Sequence, residues 1–280
     1  MEKILTILAA FFMAITAMAQ TAEIEVSFDA NRPNPRTGKD NITNHYILLA
    51  NTSESRFYSP RTEFIDSLSS TPEGVAKLKE MQRGALDSGK LENIPSSDGS
   101  YYVVKSFTDS RLRHYDKFGF ENERLVYEEP MASWNWEVGD STKTILGYEC
   151  IMATTVYHGR KWTAWFSPEI PVQNGPWKLE GLPGLILEAA AEGGQYSFVA
   201  TGIHHTTKPI GCVYLADSYE PTTRLDYLKS YRASMDNPFG KLKALFGNNF
   251  KVAASDGSEI DTQNLYVPAS VVDFLETDYK

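Results

Sequence analysis

The seven residues Gly181-Leu182-Pro183-Gly184-Leu185-Ile186-Leu187 constrain this chain more than any other stretch, because they join a tight corner directly to an apolar strand run. Pro183 fixes its own φ and drives Leu182 out of the helical region into an extended conformation. Gly181 and Gly184 accept φ > 0, or the close approach of another backbone, at no Cβ cost. Leu185, Ile186 and Leu187 follow as a continuous apolar run, the pattern of a strand covered on both faces. A phosphate-cradling loop would need a Lys-Ser/Thr pair and a following helix, and this segment has neither. The stretch reads as a structural corner feeding a core strand.

Strand signals surround it. Glu23 to Phe28 alternates strictly, and His45 to Ala50 reads as a second strand. Tyr101 to Val104, Leu125 to Tyr127 and Trp134 to Val138 follow, separated by polar turns. Tyr148–Tyr157 and Lys161–Phe166 form a hairpin about His158-Gly159-Arg160; Leu185–Ala190 and Tyr196–Ile203 form another about Glu192-Gly193-Gly194. Cys212 to Leu215 adds one more strand, and Phe250 to Tyr266 a weak hairpin about Ser255-Asp256-Gly257. Helical spacing is confined to two regions, 61–87 and 223–246, the first with a Thr71-Pro72-Glu73 start signal. The expectation is a mainly β fold with peripheral helices: a curved antiparallel sheet forming an open half-barrel or bowl.

Residues 1–19 read as a secretory signal peptide, with Lys3, an apolar core from Ile4 to Met13, and the small-x-small site Ala17-Met18-Ala19. Cleavage near Ala19 places the protein in the periplasm or outside the cell. It leaves a single β-rich domain over 20–280, with a semi-independent C-terminal part at 237–280 as an open alternative. The peptide carries one acid and one base, so the net charge of −9 is unchanged by its removal. That charge, with no Lys/Arg cluster, argues against nucleic acid and anionic membranes as partners. The apolar run is too short to span a bilayer. Cys150 and Cys212, in an oxidising compartment, either form one disulfide or remain two buried thiols.

Several segments resemble the GLPGLI family of exported Bacteroidetes-type proteins. Gly147-Tyr148-Glu149-Cys150 with Ala153 resembles its Gly-Tyr-x-Cys-x-x-Ala element, and Trp165-Phe166 with Ile170-Pro171 resembles its Trp-Phe…Ile-Pro stretch. The resemblance covers residues 130–203 and extends to 22–58. It implies an exported protein without an established biochemistry and supplies no catalytic residues. The hairpin order is also similar to the open half-barrels of periplasmic lipoprotein carriers and to a bowl-shaped domain of secreted deglycosylating enzymes, which concerns fold and not function.

The residues offer little for chemistry. There is no His-Glu-x-x-His, Cys-x-x-Cys or Gly-x-Ser-x-Gly, and adjacent His204 and His205 would point to opposite faces of a strand. No metal, cofactor or catalytic group is expected. The aromatic residues carry more information. Trp134 and Trp136 share one face, with Tyr127 expected on the neighbouring strand, and Trp162 shares a face with Phe166. They read either as core or as the apolar wall of a concave site for a small apolar molecule, a lipid, a peptide or an envelope protein. The function expected is a non-enzymatic binding or chaperone-like module. The alternatives are an accessory or structural partner-binding protein, and third a glycan-related hydrolase accessory.

Overall fold

Burial alternates with period two along Ile24–Pro33 (β1), where Ile24, Val26, Phe28 and Ala30 point inward. The computed structural model describes residues 20–34, 40–90, 93–95, 99–119, 122–237, 244, 252–253, 259–260 and 274–279. In it β1 leads an antiparallel meander through Asn41–Ala50 (β2), Glu54–Tyr58 (β3), Tyr102–Ser106 (β4), Arg111–Phe118 (β5) and Glu123–Pro130 (β6). A second meander runs through Glu137–Ile145 (β7), Tyr148–Tyr157 (β8), Arg160–Ser167 (β9), Leu185–Ala191 (β10) and Ser197–His205 (β11). β11 pairs with β1 and fuses the two meanders, while Glu220–Pro221 (β12) adds in parallel to β6. The result is a mixed twelve-stranded sheet, β12-β6-β5-β4-β3-β2-β1-β11-β10-β9-β8-β7, that does not close into a barrel.

The sheet is strongly curled. Eight inter-strand steps separate β6 from β9, roughly 40 Å if the sheet were flat. Yet His158, in the turn before β9, lies 4.0 Å from Glu129 at the end of β6. The inner face carries the main core, including Phe28, Tyr46, Leu48, Phe57, Val103, Trp162, Phe166 and Phe198. The opposite face of the β2–β4 region buries Leu49, Tyr58 and Tyr102 against Ile210, Val213 and Tyr219.

Among the described residues, three α-helices accompany the sheet. Pro60–Ser69 (α1) and Pro72–Asp87 (α2) start on the caps Ser59 and Thr71, each followed by proline at the first helical position. Asp66 of α1 is buried, accepting from Tyr102 Oη at 2.7 Å and pairing with Lys117 Nζ at 2.5 Å. Arg224–Asp236 (α3), capped by Thr223, packs Tyr227 and Leu228 onto Phe118, Leu125 and Tyr127. Among the described residues no helix is long and apolar enough to cross a membrane.

Gly181–Gly184 is a corner. Gly181 has φ +84° and Gly184 φ +156°, and Leu185, Ile186 and Leu187 are all fully buried. A Cβ on Gly184 would sit 2.6 Å from the Ser167 carbonyl carbon, so the strand start is pressed against the end of β9. The loop before the corner is fixed by Lys105. Its buried ammonium donates to Asn174 Oδ1 (2.9 Å), Gly175 O (3.3 Å) and Leu179 O (2.9 Å), matching its three hydrogens. Burial lowers that ammonium to about 8, with Glu180 opposing the shift.

Some sequence expectations need correction. Cys212 to Leu215 is not a strand: it belongs to a segment held beside the residues that precede β1 by Ala22 N–H to Lys208 O and Ile210 N–H to Gln20 O, both 2.8 Å. Cys212 is consequently exposed, while Cys150 is buried on β8 toward the far edge of the sheet. Both are free thiols, and Cys150–Cys212 is not a disulfide. Trp134 to Trp136 precede β7 and are not part of it. Strands β3 and β5 escape the sequence reading; in β5 the buried positions include His114, Asp116 and Lys117, whose polarity masks the strand pattern. Val252–Ala253 (β13) and Glu259–Ile260 (β14) pair as a two-strand ladder. The turn expected at Ser255-Asp256-Gly257 and most of 238–246 lie outside the described residues.

Candidate functional site

The aromatic residues singled out from the sequence line the inner face, at two depths. Tyr127, Trp162 and Phe166 are at most 2% exposed, whereas Trp134 and Trp136 are half-buried. Tyr127 is not on a strand neighbouring the tryptophans: β6 and β7 lie towards opposite edges of the sheet. Curling nevertheless brings them near one another. Trp134 stacks on Trp136 (centroids 5.3 Å) and meets Tyr157 at 4.4 Å; Tyr157 meets Trp177 at 5.8 Å. Lys178 Nζ lies 4.8 Å from the Tyr127 ring centre and 5.6 Å from that of Trp177. The Trp134 and Trp136 indoles donate to Glu180, one to Oε1 (3.4 Å) and the other to its carbonyl (2.8 Å), which turns both rings onto the inner face.

The inner face is occupied by the chain itself. Residues 274–279, Phe-Leu-Glu-Thr-Asp-Tyr, cross it, with Phe274 and Glu276 each 4% exposed. Arg160 of β9 donates to the carbonyls of Phe274 and Leu275. Phe274 packs on Tyr231 (5.1 Å) and lies under the Arg232 guanidinium (4.5 Å), which also donates to Tyr279 Oη at 2.7 Å. Thr277 N–H donates to His158 O at 2.9 Å. The two-residue turn His158-Gly159 has φ +50° and +80°, the mirror-image turn that suits a tight hairpin. A Cβ on Gly159 would lie 3.0 Å from Asp278 N, so the glycine lets the C-terminal segment approach the turn.

Charge holds the segment's acids. Lys178, fully buried, pairs with Glu129 at 2.5 Å and Glu276 at 2.7 Å. Arg224, at the start of α3, pairs with Glu276 and Asp278, and His158 Nδ1 lies 3.0 Å from Asp278 Oδ2. Burial alone would push the Glu276 carboxyl up, but Lys178, His158 and Arg224 outweigh it and hold it at about 2. Burial lowers His158, against the opposing pull of Glu276. The ring is then neutral at pH 7, and its Nδ1–H donates to Asp278. His158, Glu276 and Asp278 bring potential metal-ligand atoms within 4.8 Å of one another. Two fixed cations already neutralise those carboxylates, so a metal ion would have to displace Lys178 or Arg224. What the arrangement does is grip a peptide segment.

Sequence reasoning finds the aromatic wall and misses the grip. It gives Glu129 no part in a site, treats His158 and Arg160 as turn residues, and finds no periodic signal over 274–279. The adjacent Phe274-Leu275 in a polar tail is the one cue that could have found it.

A model of a Bacteroidetes-type family, described as "Protein of unknown function (Porph_ging)", matches residues 157–188, which span the His158 turn, β9 and the Gly181–Gly184 corner. No curated protein matches the chain by sequence. Among solved structures, PNGF-II is similar in two crystal forms, at 17% identity with a TM-score of 0.50 and at 14% with 0.48. In the first, 78% of this chain aligns with 34% of the other, so the chain spans about a third of that protein's length. MucB, solved in complex with MucA(peri), aligns over 71% of this chain and 54% of its own at 10% identity, TM-score 0.31. The similarity to PNGF-II is one of fold, and the matching family is one whose function is unknown.

Proposed function

We propose that the protein is an exported binding module whose concave face holds an extended peptide bearing aromatic and acidic side chains. One observation carries this reading: the seating of Phe274–Tyr279, in which Arg160, Lys178, Arg224 and Arg232 meet five of six consecutive residues through side chains and carbonyls, and the His158 carbonyl accepts from the sixth, Thr277. Tyr127, Trp134, Trp136, Trp162 and Phe166 form the apolar wall of the site. The chain's own C-terminal segment fills it in cis, and an envelope partner of like chemistry takes its place by competition. Effective concentration favours the tethered segment, so a free competitor binds weakly until the segment leaves.

The test is a chain ending at residue 273, titrated with a labelled peptide of the last seven residues. Saturable binding to the shortened chain is expected, together with at least tenfold weaker binding to the full chain and to a Lys178→Met variant of the shortened one. A shortened chain that folds and binds nothing overturns the reading. So does one that is unfolded and not restored by the peptide in trans, because the segment would then be permanent core.

Export is part of the proposal and rests on the charged, apolar and Ala17-Met18-Ala19 regions of the N-terminus. Sequencing the protein recovered from the periplasm or medium should give Gln20 first, the start of one domain over 20–280; an intact Met1 would exclude it. Membership of the GLPGLI family rests on residues 130–203. The solved structure of another member with a helix at the corresponding heptapeptide would argue against it.

A further inference from the structure

The concave face is not completely filled beneath Phe274–Glu276. A cavity of about 100 Å³ remains, walled by Tyr46, Tyr101 and Phe198 near the sheet, Tyr231 of α3 and Phe274 of the C-terminal segment. Two polar groups in this wall lack the partners their depth calls for. His114 on β5 is 4% exposed, and among the described residues neither ring nitrogen has a hydrogen-bond partner. Tyr101 and Tyr127 stack on the ring at 5.3 and 5.0 Å, so its nitrogen-bearing edge is left to meet other groups. Arg32 on β1 is half-buried in the same wall. Its Nε donates to Asn44 Oδ1 at 2.8 Å, and no carboxylate pairs with it among the described residues.

Asp116 shares the cavity but is already engaged. One of its oxygens accepts from Tyr227 Oη at 2.6 Å and the other from the Lys117 backbone N–H at 2.8 Å. Asp116 acts on Arg32 only through space, and an inward cation with no carboxylate at salt-bridge distance among the described residues, in one cavity with a deeply buried imidazole without a partner, is costly unless something else supplies both.

We propose that this cavity binds a short hydroxycarboxylate, its carboxylate on the Arg32 fork and its hydroxyl on the His114 edge. The guanidinium presents paired donors matched to a carboxylate. A neutral imidazole offers one donor and one acceptor, and a hydroxyl can answer either. Size narrows the class further. A cavity of about 150 Å³ admits benzene, with six non-hydrogen atoms, so one of about 100 Å³ encloses about four and admits only the smallest members of the class. Glycolate and lactate, as the smallest hydroxycarboxylates, come nearest that limit. The site does not depend on the peptide reading, since it is present with the C-terminal segment in place.

The experiment is calorimetric titration of the full-length protein with lactate, propionate, 1,2-propanediol and gluconate, supported by tryptophan emission because Trp177 lines the cavity. Lactate should bind best, propionate about tenfold more weakly, and the diol and gluconate not measurably. Arg32→Gln should abolish carboxylate binding, with Arg32→Lys retaining part of it. His114→Phe, which keeps the stacking, should erase the preference for lactate over propionate. Melting curves establish that each variant is folded; where Arg32→Gln is not, Arg32→Lys is read in its place, with weakened lactate binding expected and unchanged binding overturning the proposal. Equal binding of lactate and the diol, unchanged binding in folded Arg32→Gln, or no binding by any of the four compounds overturns the proposal.

Discussion

Gly184→Val is expected to leave the protein unable to fold stably, the largest effect of any single change in the corner. The added Cβ would overlap the Ser167 carbonyl at a φ that L side chains rarely adopt, and neither backbone can move without shifting β9 or β10. Both terms act on two adjacent sheet strands, so a loss above about 4 kcal/mol is expected, in the tail of single-residue effects. Leu185→Ala and Ile186→Ala remove fully buried side chains and should each cost about 2–5 kcal/mol. Pro183→Ala should cost less than about 1 kcal/mol, through the unfolded chain. Urea denaturation of the four variants checks the order. A Gly184→Val protein as stable as the wild type would mean the corner is not under this constraint.

Lys178→Met should be the most damaging change in the charged grip. It strands Glu129 and Glu276 beside an apolar side chain, and breaking a buried pair in this way costs about 3–5 kcal/mol. Removing Glu276 as well, as Lys178→Met/Glu276→Gln, should recover part of the loss, giving a non-additive pair. Acid should mimic the mutation. Glu276 is held at about 2 in the folded protein, against an ordinary value of 4.5, so its stabilising contribution is complete above about pH 4.5 and is lost as pH falls toward 2. His114, pushed down to about 3 by burial, acts in the same direction: the unfolded chain takes up a proton from pH 6.5 downward while the folded one resists. Stability should therefore fall from about pH 6.5 to about pH 2, and the part due to Glu276, below about pH 4.5, should be absent in the double variant. An acid limb that is identical in the two proteins would exclude Glu276 as its source.

The heptapeptide was legible because each of its residues acts locally, through a fixed φ, a missing Cβ or an apolar surface. The hairpins at His158-Gly159 and Glu192-Gly193-Gly194 were legible for the same reason, since turn chemistry and alternation are properties of neighbouring residues. β5 was not, because His114, Asp116 and Lys117 are buried polar residues that break the apolar alternation, and the partners of Asp116 and Lys117 lie elsewhere in the chain. Asp116 is satisfied by Tyr227, Lys117 by Asp66 and Tyr102 shares that same acid. Cys212 was misplaced because an apolar tetrapeptide packs equally well as an irregular segment: Val213 is buried, and the Cys212 carbonyl accepts from the Arg56 side chain instead of a ladder partner.

From its sequence alone this chain determined a β-rich sheet of hairpins, two helical regions, a corner before β10 and an aromatic wall. Each follows from periodicity or backbone restriction within about ten residues. Tertiary structure decided the rest: how far the sheet curls, that Lys105 staples the loop before the corner, and that the last described residues lie in the concavity on Lys178 and Arg224. The contacts of Lys105, Lys178 and Arg224 join residues about 50 to 100 positions apart, and pairings at that separation leave no period in the sequence. Opposite charges meet there because burial makes an unpaired charge costly, a condition that exists only once the sheet has curled.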